Sequence, residues 1–167
     1  TVLLIDEIDK SDEEFEAFLL EILSDFQVSI PEIGTVRATS HPIVFLTSND
    51  TRELGDALKR RCLHLYIPFP DAALESKIIA VRAPGVSDLL KRQLVSFIQE
   101  VRKLQLKKVP SISEAIDWAR TLLFLHAECL SSELINETMN VFIKFESDGE
   151  LLRDSLPDLM RKSVRGG

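Results

Sequence analysis

At 167 residues, 45% hydrophobic and 28% charged, the chain has room for one large domain or two small ones and the make-up of a globular protein. Its net charge of −7 argues against a protein that coats nucleic acid, which would show a basic surplus. No apolar run approaches the roughly 18 residues a membrane span needs. Cys62 and Cys129 lie far apart without metal-ligand spacing, and no signal peptide opens the sequence, so a reducing, cytoplasmic compartment is expected.

Thr1 is followed at once by Val2 to Ile5, a continuous apolar run of the kind that a parallel strand buried on both faces gives. With no initiator Met and no lead-in, the sequence reads as a fragment that begins at the edge of an internal strand. Ser11-Asp12-Glu13-Glu14 predicts a capping box, with Ser11 as N-cap and Glu14 reaching back. Phe15, Phe18, Leu19, Ile22 and Phe26 mark one face of the helix behind it. Gln27 to Ser40 carries Pro31 and Gly34 between Val28/Ile30 and Val36, which predicts a β-hairpin. Ile43 to Thr47 is a second buried-strand run, ending in Ser48-Asn49-Asp50. A short helix is expected over Leu54–Arg61. Leu63, Leu65 and Ile67 then alternate with His64 and Tyr66, predicting a third strand closed by Pro68 and Pro70.

From Asp71 onward the pattern is helical. Pro84-Gly85 ends one helix, and Ser87 caps the next, which carries Leu90, Leu94, Phe97, Ile98, Val101 and Leu104 on a stripe. Ser111-Ile112-Ser113-Glu114 is a second capping box, opening a helix to about His126 with Trp118 on its core face. Asn136 to Phe145 predicts a further helix, and Arg161 to Gly167 a frayed tail. The fold class is therefore α/β over residues 1–70 and all-helical over 71–167.

Two strands joined through a helix and a hairpin are expected to lie parallel, with a right-handed crossover. Both then end at one edge of the sheet, where ligands of open α/β sheets bind. Asp6 and Glu7 stand at one such end and Asn49 at the other, which brings two carboxylates and an amide to a common crevice. Phosphate hydrolysis needs one carboxylate to hold Mg²⁺, usually through water, and a second to position and polarise the attacking water. The same residues also suit a solvated turn. Arg60 and Arg61 follow a helix, where cations complement the C-terminal dipole. The acidic run Asp9 to Glu16 and the basic cluster Arg102, Lys103, Lys107 and Lys108 are expected to be solvated faces. His41, His64 and His126 are scattered and suggest no metal site.

Val2-Leu3-Leu4-Ile5-Asp6-Glu7-Ile8-Asp9-Lys10 resembles the Walker B segment of AAA+ ATPases, most closely the MoxR family. Phe45-Leu46-Thr47-Ser48-Asn49 resembles the sensor 1 strand, and Ala57-Leu58-Lys59-Arg60-Arg61-Cys62 the segment bearing the arginine finger. Order and spacing agree with that family over residues 1–70, and the helical part resembles its lid loosely. The resemblance implies the C-terminal part of a P-loop NTPase parallel-sheet core followed by an all-helical lid, with ATP and Mg²⁺ as cofactors. It implies Asp6 on Mg²⁺, Glu7 as catalytic carboxylate, Asn49 as the amide sensing water or γ-phosphate, and Arg61 as the finger, with Arg60 the second choice. It further implies a ring oligomer, often a hexamer, that remodels a client protein in a chaperone-like way.

Two departures stand out. The P-loop pattern G-x-x-x-x-G-K-[ST], whose backbone N–H groups and Lys hold phosphates, is absent; in the family it lies upstream of Walker B. The family's sensor 2 arginine is also missing, because Ser111 to Ala115 reads Ser-Ile-Ser-Glu-Ala. Arg120, about two turns on, is either its substitute or a surface residue. The missing sensor 2 arginine favours an alternative, a non-hydrolysing AAA+-like assembly module. A DNA-acting AAA+ motor would want a basic hairpin, where Gln27 to Ser40 offers only Arg37.

Overall fold

A computed structural model of the protein describes residues 1–165. In chain order, β1 (Val2–Ile5) leads through a 3-10 turn at Ile8–Lys10 into α1 (Glu13–Asp25). A hairpin of β2 (Gln27–Ile30) and β3 (Gly34–Arg37) follows, then β4 (Ile43–Leu46) and a short α2 (Asp56–Lys59). The rest is helical: α3 (Ala72–Arg82), α4 (Asp88–Val101), α5 (Ile112–Phe124), α6 (Ser132–Thr138) and α7 (Glu146–Arg165). The protein is thus mixed α/β, with seven α-helices among the described residues. It divides into two compact units, Thr1–Ile67 and Pro68 onward, where the sequence pattern put the change at 70/71. No helix among the described residues is long and apolar enough to cross a membrane.

In the first unit β1 and β4 run parallel, with Val2 opposite Ile43 and Ile5 opposite Leu46. α1 and the hairpin supply the long connection that parallel pairing requires. Leu19 of α1 is buried with Ile8 and Leu58, and Ile5, Leu46 and Ile22 pack partly against them. Both strands were expected to be buried on both faces, and here the structure differs. Val2, Leu4, Ile43 and Phe45 share one face by alternation and register, and each is more than half exposed. Two strands and one helix cover one side of a sheet only.

The predicted third strand does not form. Leu63, Leu65 and Ile67 lie exposed in a stretch without secondary structure. Alternation makes a segment fit to be a strand, but ladder N–H and C=O groups need a neighbour, and here none pairs with them. The cap of α1 also shifts by one residue. Asp12 is the N-cap, accepting the Phe15 N–H at 2.8 Å. Ser11 instead donates its hydroxyl to the Ile8 carbonyl at 2.7 Å, closing the 3-10 turn. The hairpin forms as expected, antiparallel with Gly34 at φ 92° after the turn. Glu21 of α1 pins its base, accepting from the Ser29 N–H and hydroxyl and from Gln27.

The second unit has a continuous apolar core. Leu90, Leu94, Phe97, Ile98 and Val101 of α4 are buried in it. Trp118 is fully buried, 4.5 Å from the Phe142 ring and 5.6 Å from Phe97. Its indole N–H donates to Thr138 Oγ1 at 2.8 Å, which satisfies the polar end of a buried aromatic. Ser87 caps α4, and Ser111 with Glu114 forms the expected capping box on α5. Asn136 to Phe145 is not one helix. Ser131 caps an earlier start, α6 ends at Thr138, and a 3-10 turn at Met139–Val141 delivers the buried neighbours Phe142 and Ile143 to the core. α7 runs to Arg165 through most of the expected frayed tail, whose last two residues lie outside the described ones.

Arg102 is not on a solvated face. Its side chain is 7% exposed and grips Glu75, which is 0% exposed, with two N–H···O contacts of 2.7 and 2.8 Å. It also donates to the Pro110 carbonyl at 2.9 Å and lies 4.6 Å over the Phe69 ring. Gln99 completes the cluster by donating to Glu75 and to the Pro70 carbonyl. Removing one partner of a buried pair strands the other charge, at about 3–5 kcal/mol. Arg102→Ala should therefore destabilise this unit by about that much, read as a lower denaturant midpoint of Trp118 fluorescence. Arg102→Lys should recover only part, because an ammonium lacks the planar fork.

Candidate functional site at the ends of the parallel strands

The parallel register carries residues 6–9 alongside residues 47–51. The backbone ladder continues past the strands: Thr47 N–H donates to the Ile5 carbonyl at 3.0 Å, and Ile8 N–H donates to the Thr47 carbonyl at 2.9 Å. The Thr47 hydroxyl accepts the Glu7 N–H at 3.0 Å and donates to Asp6 Oδ1. Asp6 is exposed at this edge. Glu7 adopts a left-handed backbone, φ 53° and ψ 48°, which is unfavourable for a residue with a Cβ. The Thr47 hydroxyl and the contacts of the Glu7 side chain hold it there. Asn49 Nδ2 donates to Glu7 Oε1 at 3.1 Å, and Lys10 Nζ donates to Oε2 at 2.7 Å. Strained backbone at an exposed polar cluster is an observation from which function can be argued.

Asp9, expected to be solvated, is 3% exposed. Its carboxylate accepts the Asn49 N–H at 3.1 Å, the Thr51 N–H at 3.0 Å and the Thr51 hydroxyl. The Thr51 hydroxyl foremost, and the backbone N–H groups with it, outweigh burial and hold this carboxyl well below the usual carboxylate range. Further along, Arg52 donates to the Ser11 carbonyl and pairs with Glu16 at 2.5 Å. Glu16, also buried, accepts the Gly55 N–H at 3.0 Å. Carboxylates of the expected solvated helix start thus fasten the loop that leads to α2.

Of the five residues singled out in the sequence, the structure gathers Asp6, Glu7 and Asn49. Arg61 stands elsewhere: it donates to Ser24 Oγ at 2.6 Å and to the Ala57 carbonyl of α2 at 2.9 Å. Arg60 is exposed, with no side-chain partner among the described residues. Arg120 donates to the Arg82 carbonyl at the end of α3, at 3.1 and 3.2 Å. Thr47, Asp9, Glu16 and Arg52 were not singled out. Their signal in the sequence is weak, because each finds its partner about 40 residues away.

The site fits Mg²⁺ as a partial ligand set. Among the described residues no group of three or more His, Cys, Asp or Glu could hold a metal by itself. Asp6 offers an exposed carboxylate, with Thr47 bonded to one of its oxygens. That suits a cation which keeps several waters and takes its other ligands from substrate oxygens. No protein-family model matches the chain, and no curated protein matches it.

The Asp9 contacts give a pH dependence. Its proton affinity is lower in the folded than in the unfolded chain, so its stabilising contribution is complete above the unfolded value of about 3.9 and is lost as pH falls below it. Asp9→Asn should remove that component. Between about pH 5 and pH 2 its unfolding free energy should fall less steeply than that of the wild type, as measured by urea titrations at each pH.

Proposed function

We propose that the chain is part of an AAA+ ATPase similar to the MoxR family, which binds and hydrolyses ATP with Mg²⁺ and works as a ring to remodel a client protein. The contact of Asn49 Nδ2 with Glu7 Oε1 at 3.1 Å, at the carboxyl ends of parallel strands and beside Asp6, carries this reading. Asp6 would hold Mg²⁺ through water, and the ion, when bound, supplies charge neutralisation at the phosphate oxygens. Glu7 orients the attacking water and takes its proton at a carboxylate oxygen. Asn49 fixes the Glu7 carboxylate by donating to one oxygen and can reorient towards water or phosphate. The sequence has no phosphate-cradling loop, so the reading requires one from outside these 167 residues.

Arg61 is the proposed finger on a neighbouring subunit's nucleotide. Its present ties to Ser24 and Ala57 would have to be released or shared, whereas Arg60 has no side-chain tie among the described residues. A second reading, the non-hydrolysing assembly module, draws on Arg120, whose guanidinium is engaged by the α3 carboxyl end. Absence of Mg·ATP turnover by the assembled protein would favour that module.

Three outcomes are expected. Residues 1–167 alone should bind ATP without micromolar affinity in calorimetry, because half of the phosphate cradle is missing. In the assembled protein, Glu7→Gln should leave nucleotide binding nearly intact and abolish phosphate release; steady-state turnover within a few-fold of wild type would remove Glu7 from the catalytic role. Arg61→Ala should lower turnover by about 10³ or more if the guanidinium acts in trans. Mixing Arg61→Ala with Glu7→Gln subunits should then restore part of the activity, since some interfaces retain both groups. Recovery with Arg60→Ala in place of Arg61→Ala moves the finger by one residue.

A further inference from the structure

We infer that Asp9 is a positioning residue, gripping the backbone of the Asn49–Thr51 loop so that the Asn49 side chain meets Glu7. Its bearing on hydrolysis rests on the proposed function; its grip on the loop does not. The Asp9 side chain is withdrawn from solvent, and its two oxygens accept three donors, all from residues 49 and 51. With both oxygens occupied from within the chain, it is poorly placed to serve as a metal ligand or a base. The loop it holds has little else to fix it. Asn49 and Thr51 are exposed and outside any helix or strand, and Asp50 between them has a left-handed backbone at φ 58°.

Asp9 and Glu7 belong to the same turn and hold Asn49 at two points. Asp9 takes the Asn49 main-chain N–H, and Glu7 takes its side-chain amide. With the backbone clamped, the amide has only its own side-chain torsions to search. Without Asp9, the N–H groups of Asn49 and Thr51 turn to water, and the Glu7 contact alone is left to hold the amide. The next stretch is secured separately, by Arg52 on the Ser11 carbonyl and Glu16 on the Gly55 N–H. The two anchors can therefore be tested apart.

The test is amide hydrogen exchange followed by NMR on the full chain. Asp9→Asn presents an NH₂ group where two N–H groups and a hydroxyl need acceptors. The Asn49 and Thr51 amides should exchange at least about tenfold faster, the loss expected for hydrogen bonds to a charged acceptor, and the Asn49 side-chain NH₂ resonances should shift. Glu16→Gln should speed exchange at Gly55 and leave Asn49 protected. Thr51→Ser keeps both donors and should retain wild-type protection, while Thr51→Val should weaken it; this pair decides the matter if Asp9→Asn fails to fold. Unchanged protection and resonances at Asn49 in Asp9→Asn or in Thr51→Val would overturn the inference.

The second readout is steady-state kinetics of the assembled protein. Asp9→Asn should lower kcat by about tenfold or more while KM changes little, the mark of an interaction that matters in the transition state. Adding it to Glu7→Gln should cost nothing further. A loosened loop with unchanged kcat would overturn the positioning role. A wild type without ATP turnover defeats the proposed function instead, and leaves the exchange measurement to decide whether Asp9 sets Asn49.

Discussion

Everything at the polar edge of the first unit depends on the register between β1 and β4. Ile5 opposite Leu46 is the last strand pair, and two further backbone bonds, Thr47 to Ile5 and Ile8 to Thr47, carry the alignment beyond the strands. From there, each polar contact is a consequence of position. Thr47 reaches Asp6 and Glu7, Asn49 reaches Glu7 and Asp9, and Thr51 reaches Asp9. A slip of one residue would turn each side chain to the opposite face and break these contacts together. The apolar packing of Ile5 and Leu46 towards Leu19 and Ile8 opposes such a slip, so the helix that covers the sheet also protects the site.

The second unit uses charge differently. Its core is apolar, and its buried carboxylates serve as fixtures for irregular chain. Glu75 binds Arg102 and Gln99, which in turn hold the Pro110 and Pro70 carbonyls. Asp148 accepts the N–H groups of Lys107 and Lys108, in the stretch between α4 and α5. Burying a charge pair gains little net stability over an apolar packing of the same shape. What it supplies here is acceptors and donors for backbone groups that helices cannot satisfy across a connection.

The sequence made some of this legible and left the rest out of reach for identifiable reasons. Apolar runs before Asp6-Glu7 and before Asn49 sufficed to anticipate parallel strands ending together, because chain order and the length of the connection leave few other arrangements. The serine caps of α4 and α5 were readable because capping is local. Ser11 and Asp12 are both good caps, and the choice fell on Asp12 only because the 3-10 turn uses the Ser11 hydroxyl as a donor. Asp9, Glu16 and Arg102 were misjudged for a common reason. Charged residues at helix ends are usually solvated, and here Thr51, Gly55 and Glu75, which meet Asp9, Glu16 and Arg102, stand 42, 39 and 27 residues away in the chain. The alternation in Leu63 to Ile67 announced a strand, but alternation carries no information about whether a sheet edge is available.

The three carboxylates of the 6–9 turn also differ in how their charge is met. Three negative groups within four residues repel one another unless each is compensated. Asp9 is met by three donors and is withdrawn from solvent. Glu7 is met by the Lys10 ammonium at 2.7 Å and the Asn49 amide. Asp6 is met by a single hydroxyl, that of Thr47, and remains exposed. Of the three, Asp6 therefore keeps the most uncompensated charge facing solvent, and a cation arriving at this edge gains most by approaching it. Glu7 is balanced by the Lys10 ammonium on one side and the Asn49 amide on the other, so a shift of either partner changes how its charge is met. The donors that the 47–51 loop and Lys10 bring to each oxygen thus leave the three carboxylates in different surroundings, Asp9 buried with both oxygens occupied, Glu7 paired with a cation, and Asp6 exposed.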